Sequence, residues 1–389
     1  MNVQKKKILF CIHDLRGRGA EKVLGTLLKE IDRDKFQPSV FVYHDDFVID
    51  IPDHVDIVSA HIPHDPPHAG LFKKIKNNIY KVLSLYRTLK SFRPDIALSI
   101  SGTNITLVLA KYIYDRKLNV ILSEHTMASL FTKETKNIFI RYLTDKLISL
   151  VYPLADLIIT PSKAVFDDLE SVYKISTAKI LVIPNPLDIE YILSCAKENT
   201  NFLFPDDNSF RIGFIGGLSR EKNIQCLIKA SAILKTKGVE IHLFLIGEGD
   251  EKKNLEELSK QISVEDRVHF LGFLENPYPI LRNFDVLVVT SFFETFSYVM
   301  LEAMACGVPV ISTKWKGCED IYRDMENCLL VPINDEEKLA LAIERVMSQR
   351  ELKEKLVRNG FDLVEKFKAE SVIKKYNKAI NEVMALKRN

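Results

Sequence analysis

Short apolar runs alternate with longer amphipathic segments from one end of the chain to the other. Residues 7–12, 38–43, 96–100, 120–123, 157–160 and 180–183 read as buried strands, with helical periodicity filling most of the intervals. A polar stretch, 197–208, interrupts the rhythm, which then restarts. Strands are expected at 211–215, 241–246, 268–271, 286–290, 308–312 and 329–331. Continuous apolar strands alternating with helices imply parallel sheets covered on both faces. Two such series predict an α/β protein of two doubly wound, Rossmann-like domains, 1–200 and 206–370, facing a central cleft where ligands bind. A last helix is expected within 371–389.

At 389 residues the chain is too long for one ordinary core and suits two domains. Hydrophobic residues at 47% and charged residues at 27% exclude disorder, collagen and coiled coil. A formal net charge of +2 gives no global attraction to nucleic acid, so a charged partner must be met locally. The six cysteines form no CxxC pair, zinc spacing or disulfide framework, which suits a reducing cytoplasm. Behind Lys5-Lys6-Lys7 the apolar run is too short for a signal peptide, and no stretch is long enough to span a bilayer.

Segment 71–94 carries seven Lys or Arg residues and no acid, with Phe72, Ile75, Ile79, Val82, Leu83, Tyr86 and Leu89 at helical spacing. Two readings stand: a core-facing helix with a solvated basic face, or a helix lying near an anionic membrane through Lys73, Lys74, Lys76 and Lys81.

Candidate chemistry concentrates in the second half. Glu294 follows the strand at 286–290, and Glu302 lies within a short helix, about 298–306, that stops at Gly307. The backbone N–H groups of Phe296, Ser297, Tyr298 and Val299 open that helix and, with Thr295 beside them, suit a diphosphate. The turn Gly216-Gly217-Leu218-Ser219-Arg220-Glu221-Lys222 follows the first strand of the second domain. Its glycines admit a ligand to the backbone, and its two cations suit phosphoryl oxygens. Neither domain's first turn gives GxGxxG with an acidic strand end, which disfavours a dinucleotide dehydrogenase.

The stretch ETFSYVMLEAMACGVPV, preceded by GGLSREKN, resembles the retaining glycosyltransferases of GT-B fold known as family 4. LFLIGEGDEKKNLEEL, RVHFLGFLENPYPIL, ENCLLVP, GAEKVL, SEHT and ADLIITPSKAV extend the resemblance over essentially the whole chain. SEHT and KGCEDI are most similar to bacterial members that build polyprenyl-diphosphate-linked or surface glycans, such as lipopolysaccharide and capsule.

The resemblance implies transfer of a sugar, with retention, from a nucleotide sugar such as a UDP-sugar to a lipid-linked or surface glycan. It implies no metal and no cofactor, a peripheral place on the inner face of the cytoplasmic membrane, and a last helix, 371–389, that packs back on the first domain. Glu294 would face the donor sugar, Glu302 the ribose, and Lys222 the diphosphate, with Gly216 and Arg220 beside it. Gly19 would approach the donor phosphates from the first domain. His125 would stand at the sugar end of the cleft, or be a loop histidine with local bonds. Family members usually carry arginine where this chain has Gly217, and glycine where it has Arg18. Arg18 then either replaces the missing phosphate cation or points to solvent or an acceptor phosphate. The remaining alternatives are a sugar-nucleotide epimerase or hydrolase and a non-catalytic nucleotide-sugar-binding protein.

Overall fold

A computed structural model describes residues 5–16, 19–46, 48, 51–64, 71–134, 137–205 and 209–386. The chain divides into two compact units, Met1–Pro186 with Ala369–Asn389, and Leu187–Lys368. Each holds one fully parallel sheet, as continuous apolar runs require when helices cover both faces.

In the first unit the strands are β1 (Lys6–Ile12), β2 (Phe36–Val42), β3 (Asp56–Ser59), β4 (Ile96–Ile100), β5 (Asn119–Ser123), β6 (Leu157–Thr160) and β7 (Ile180–Val182). Their order is β3-β2-β1-β4-β5-β6-β7, so the winding reverses between β1 and β4. The second unit has β8 (Phe210–Ile215), β9 (Ile241–Ile246), β10 (Val268–Gly272), β11 (Val286–Val289), β12 (Val310–Thr313) and β13 (Leu329–Val331). Here the order is β10-β9-β8-β11-β12-β13, with the reversal between β8 and β11. Such a reversal opens a crevice at the carboxyl ends of the two strands, the usual ligand position in open α/β sheets.

The apolar runs fold as strands close to their expected bounds. One strand escapes the pattern: β3 pairs with β2 at the sheet edge, with Asp56 and Ile57 exposed, and needs no continuous apolar run. The unit boundary also differs from the polar stretch at 197–208. Leu187 already donates its N–H to Phe367 O at 2.7 Å. Ile192 and Cys195, on the helix Ile189–Cys195, enter the same apolar core as Tyr278 and Leu281. Residues 187–200 therefore join the second unit, because Leu187, Ile192, Cys195 and Ala196 are buried there. The last helix, Ala369–Leu386, is part of the first unit, where the Tyr376 and Ser123 hydroxyls lie 3.3 Å apart.

The basic segment forms the helix Leu71–Phe92, but it meets the core only through its second half. Leu85 and Leu89 are fully buried, whereas Ile75, Ile79, Tyr80 and Leu83 are exposed. The core-facing expectation therefore holds only for the second half of the helix.

Candidate functional site

At the reversal of the second sheet, β8 ends in the turn Gly216–Leu218. This turn is pressed against the turn that follows β9. Gly216 N donates to Ile246 O at 3.0 Å and Leu218 N to Glu248 O at 2.9 Å. A Cβ on Gly247, whose φ is +139°, would lie 1.9 Å from Gly216 O, and one on Gly249 would lie 2.3 Å from Leu218 O. Only glycine permits that approach. Gly217 is different: it is exposed and its added Cβ would meet nothing nearer than 4.0 Å.

One 3₁₀ turn, Arg220–Lys222, follows and is anchored to the end of β11 from the other side of the reversal. Thr290 Oγ1 donates to Lys222 O at 2.8 Å, and Phe292 N donates to Glu221 O at 2.9 Å. Lys222 Nζ consequently reaches Glu294 Oε1 at 2.6 Å, and Ser291 Oγ donates to the same oxygen at 2.8 Å. The lysine and glutamate side chains are 26% and 14% exposed, so this pair is partly shielded yet still accessible to a ligand. Arg220 is exposed on the same turn.

Beyond Glu294 and Thr295 the backbone enters the helix Tyr298–Ala305 through Ser297, which has the left-handed φ of +57°. A non-glycine residue there stores strain of about 1–3 kcal/mol, held only where the surroundings enforce it. Tyr322 supplies the enforcement: its fully buried hydroxyl lies 3.0 Å from the carbonyl oxygens of both Phe296 and Ser297 and donates to them. The Phe296 ring is buried against Phe367, leaving its backbone at the turn. Tyr298 and Val299 are half-buried at the helix start, whose first N–H groups have no partners within the helix. The Ser297 hydroxyl is buried there without a hydrogen bond. Glu302, one turn on, is buried, and burial and then the Glu302 charge push the Tyr278 phenol well above its ordinary range.

In the first unit His125 follows β5 and is 6% exposed. Its Nε2 lies 2.8 Å from Ser123 Oγ, and its N–H donates to Ser101 Oγ at 3.1 Å. Burial lowers its pKa to about 4, against a smaller opposing influence from Asn185, so the ring is neutral near pH 7. The first bond is local, and the second joins the ends of β5 and β4. The preceding Glu124 is buried and accepts from Asn104 Nδ2, Tyr152 Oη, Thr126 N and Thr126 Oγ1 at 2.6–3.0 Å, which locks the turn carrying His125. Gly19 opens the helix Gly19–Glu30 and is exposed. Arg18 lies outside the described residues.

Lys73 and Lys76 are exposed, and the side chain of Lys74 lies outside the described residues. Lys81 departs from their company. Its Nζ is 3.2 Å from His13 Nε2 and 5.3 Å from the centre of the Tyr43 ring, turned toward the carboxyl ends of β1 and β2. Burial, and then the Lys81 charge, lower His13 to about 4, so the lysine donates to a neutral ring.

Some residues that organise these sites are not marked for it by the sequence. Tyr322 and His13 lie outside the quoted motifs, and Glu124, inside SEHT, binds Asn104 and Tyr152 across long separations; none of these contacts carries a local signal. Gly247 and Gly249 do: a Gly-x-Gly directly after a buried strand marks a close backbone approach.

Comparison with known proteins follows the same division. The family model described as Glycosyltransferase Family 4 matches residues 17–191, and that described as Glycosyl transferases group 1 matches residues 196–362. A Campylobacter jejuni N-acetylgalactosamine-N,N'-diacetylbacillosaminyl-diphospho-undecaprenol 4-alpha-N-acetylgalactosaminyltransferase is 30% identical over 90% of this chain and 92% of its own length. Among solved structures, sucrose-phosphate synthase of Thermosynechococcus elongatus superposes with a TM-score of 0.81 at 19% identity, covering 98% of this chain and 100% of that one. Anabaena HepE in complex with UDP-glucose gives 0.76 at 20% identity over 97% and 100%. At such identities the structural likeness speaks for the fold, which is GT-B.

Proposed function

The chain belongs to glycosyltransferase family 4, and from that membership we propose that it moves a sugar, with retention, from a UDP-sugar to a glycan carried on a polyprenyl diphosphate. One observation carries the donor half of this reading: Lys222 and Glu294, 72 residues apart, meet at the reversal of the second sheet beside a helix start with an unpaired buried hydroxyl. The donor diphosphate takes Lys222, Arg220, the Ser297 hydroxyl and the first N–H groups of the helix Tyr298–Ala305. Negative charge grows on the diphosphate as its bond to the anomeric carbon breaks. Preorganised donors at that place are the main source of acceleration, and they meet the charge without a metal ion. Glu294 orients the sugar while sharing Lys222 with the diphosphate, and Glu302 receives the ribose hydroxyls. His125, neutral at the working pH, offers hydrogen bonds on the sugar side without a competing charge.

The acceptor half rests on the Campylobacter relative, whose name specifies a diphospho-undecaprenol substrate. Such a substrate keeps the enzyme at a membrane surface. Among the described residues no helix is long and apolar enough to cross a membrane, and the reading takes attachment to be peripheral. Two features support it. The helix Leu71–Phe92 exposes Lys73 and Lys76 together with Ile75, Ile79 and Tyr80. The helix Ile138–Val151 exposes Ile138 at 80%, Phe139 at 65% and Leu150 at 65%. Apolar side chains reaching the acyl boundary beside cations suit the anionic cytoplasmic leaflet.

The test is incubation of the purified chain with UDP-, GDP- and ADP-sugars, with and without a polyprenyl-diphosphate-linked oligosaccharide, in buffer and in EDTA. UDP release that requires the acceptor, survives EDTA and yields an α-linked product from an α-configured donor is the expected result. Interconversion of the sugar without acceptor, or an inverted product, would refute the reading.

A further inference from the structure

The turn that carries Arg220 and Lys222 is held from two sides. The end of β11 takes its backbone, through Thr290 Oγ1 on Lys222 O at 2.8 Å and Phe292 N on Glu221 O at 2.9 Å. The other hold is a side chain. Asn223 directly follows Lys222, is 2% exposed, and has a left-handed φ of +50°. Its Nδ2 donates to Asn334 Oδ1 at 3.0 Å, and its Oδ1 accepts from Gln225 Nε2 at 3.3 Å. Asn334 stands 111 residues further along, between β13 and the helix Glu336–Ser348, and is also left-handed, with φ +58°.

The acceptor is itself braced. Asp335, next to Asn334, caps the helix Glu336–Ser348 by accepting from Lys338 N at 2.9 Å. That helix buries Leu339 and Ile343 in the same apolar core as Ile224, Leu227 and Ile228 of the helix Ile224–Thr236, which begins directly after Asn223. Packed helices therefore fix both ends of the bond between the two asparagines.

The residue type has a physical reason. The left-handed region favours glycine, and asparagine is one of the few other residues that tolerate it. A glycine at 223 would allow the same turn but could not reach Asn334. Asparagine allows the turn and adds a long-range hydrogen bond beside Lys222. A flexible stem such as that of Lys222 is preorganised only where its backbone is fixed, and fixing it beforehand removes part of the ordering cost from binding.

We propose that Asn223 is a positioning residue for the donor diphosphate: its hydrogen bond to Asn334 fixes the turn so that Lys222 stands ready at the phosphates. The proposal rests on the reading of Lys222 as a diphosphate cation and adds the pair that sets its place.

The experiment measures dissociation constants for UDP and UMP by calorimetry on the full chain at one salt concentration. Their ratio reports the contacts of the outer phosphate, and any loss of folded protein cancels from it. Lys222→Ala should reduce the preference for UDP by about tenfold or more, the scale of a charge-assisted bond to phosphate. Asn223→Gly keeps a residue suited to the left-handed backbone but removes the bond, and should reduce the preference by about threefold or more. In the Lys222→Ala background the same change should have no further effect. General support of the fold would instead subtract equally in both backgrounds. If Asn223→Gly does not fold, Asn334→Gly takes its place: it leaves Asn223 intact, removes its acceptor, and should lower the ratio by about threefold. A wild-type ratio in Asn223→Gly, or in Asn334→Gly where that variant replaces it, while Lys222→Ala has lost the preference would overturn the proposal. An equal loss in both backgrounds would overturn it too. A wild-type ratio in Lys222→Ala would remove the diphosphate reading of that lysine, and the proposal with it.

Discussion

The carboxyl ends of the two sheets share an architecture and differ in electrostatics. Both sheets are parallel, and both reverse their winding beside their first strand. At the second reversal stand a lysine, a carboxylate, a strained turn and an unpaired buried hydroxyl. At the ends of β1 and β5 stand two histidines, His13 and His125, whose rings burial keeps neutral. On the proposed reading the first arrangement meets charge that develops and leaves, while the two histidine rings of the second carry no charge of their own and the nearby cation, Lys81, donates to one of them. The topology is shared, and the side chains after the strands make the difference.

The largest effect that would break this contrast is expected from Lys222→Ala. On the proposed reading it removes a diphosphate cation and leaves Glu294 with only the Ser291 hydroxyl, so kcat/KM should fall by about 10²–10³-fold. Glu294→Gln should lower kcat by about 10²-fold through lost orientation of the sugar. UDP affinity should hold or tighten slightly, because the variant frees Lys222 from its carboxylate partner. Steady-state kinetics paired with UDP titration separates the two variants. A loss of UDP affinity in Glu294→Gln would contradict the assigned roles.

The first sheet is sharpened by pH. His125 has a folded pKa near 4 against an ordinary 6.5, so below 6.5 the unfolded chain binds a proton that the folded chain refuses. Stability should therefore fall as pH drops from 6.5 toward 4, by up to about 1.4 kcal/mol per unit from this buried ring. His13, which is more exposed, adds a smaller, screened share in the same direction. His125→Asn should flatten the slope of urea-unfolding free energy between pH 4.5 and 6.5. An unchanged slope would mean that the ring is not held neutral.

The smallest effect is a gain. Gly217 is exposed and has room for a Cβ, so Gly217→Arg should leave the melting temperature unchanged while adding a cation beside Arg220 and Lys222. UDP affinity, read by calorimetry at low salt, should rise by about threefold to tenfold and the gain should shrink as salt increases. No gain at low salt would place the diphosphate away from this turn.

Much of this was legible in the residues. Strand β11 is apolar throughout, and β8 and β9 are so beyond Arg211 and His242, so the runs stand out, and the motifs at their ends are local. Edge strand β3 was hidden because half of it faces water. The helix Ile189–Cys195 continued the rhythm of the first half, and only its burial beside Tyr278 and Leu281 assigns it to the second unit. Glu294 and Lys222 were visible one by one. Their contact was not, because it depends on β8 and β11 being neighbours. Lys81 shared its spacing with Lys73 and Lys76, yet the helix reaches the core only in its second half, which turns Lys81 toward His13. Long-range partners such as Tyr322 leave no local trace at all.

The central claim is that the donor diphosphate sits at the reversal of the second sheet. Amide hydrogen exchange of the full chain, with and without a saturating UDP-sugar, tests it most directly. Protection concentrated in Gly216–Lys222 and Phe296–Val299 is the predicted result, and it should be lost in Lys222→Ala at the same ligand concentration. Protection absent from both segments, with bound ligand verified by calorimetry, would contradict the account.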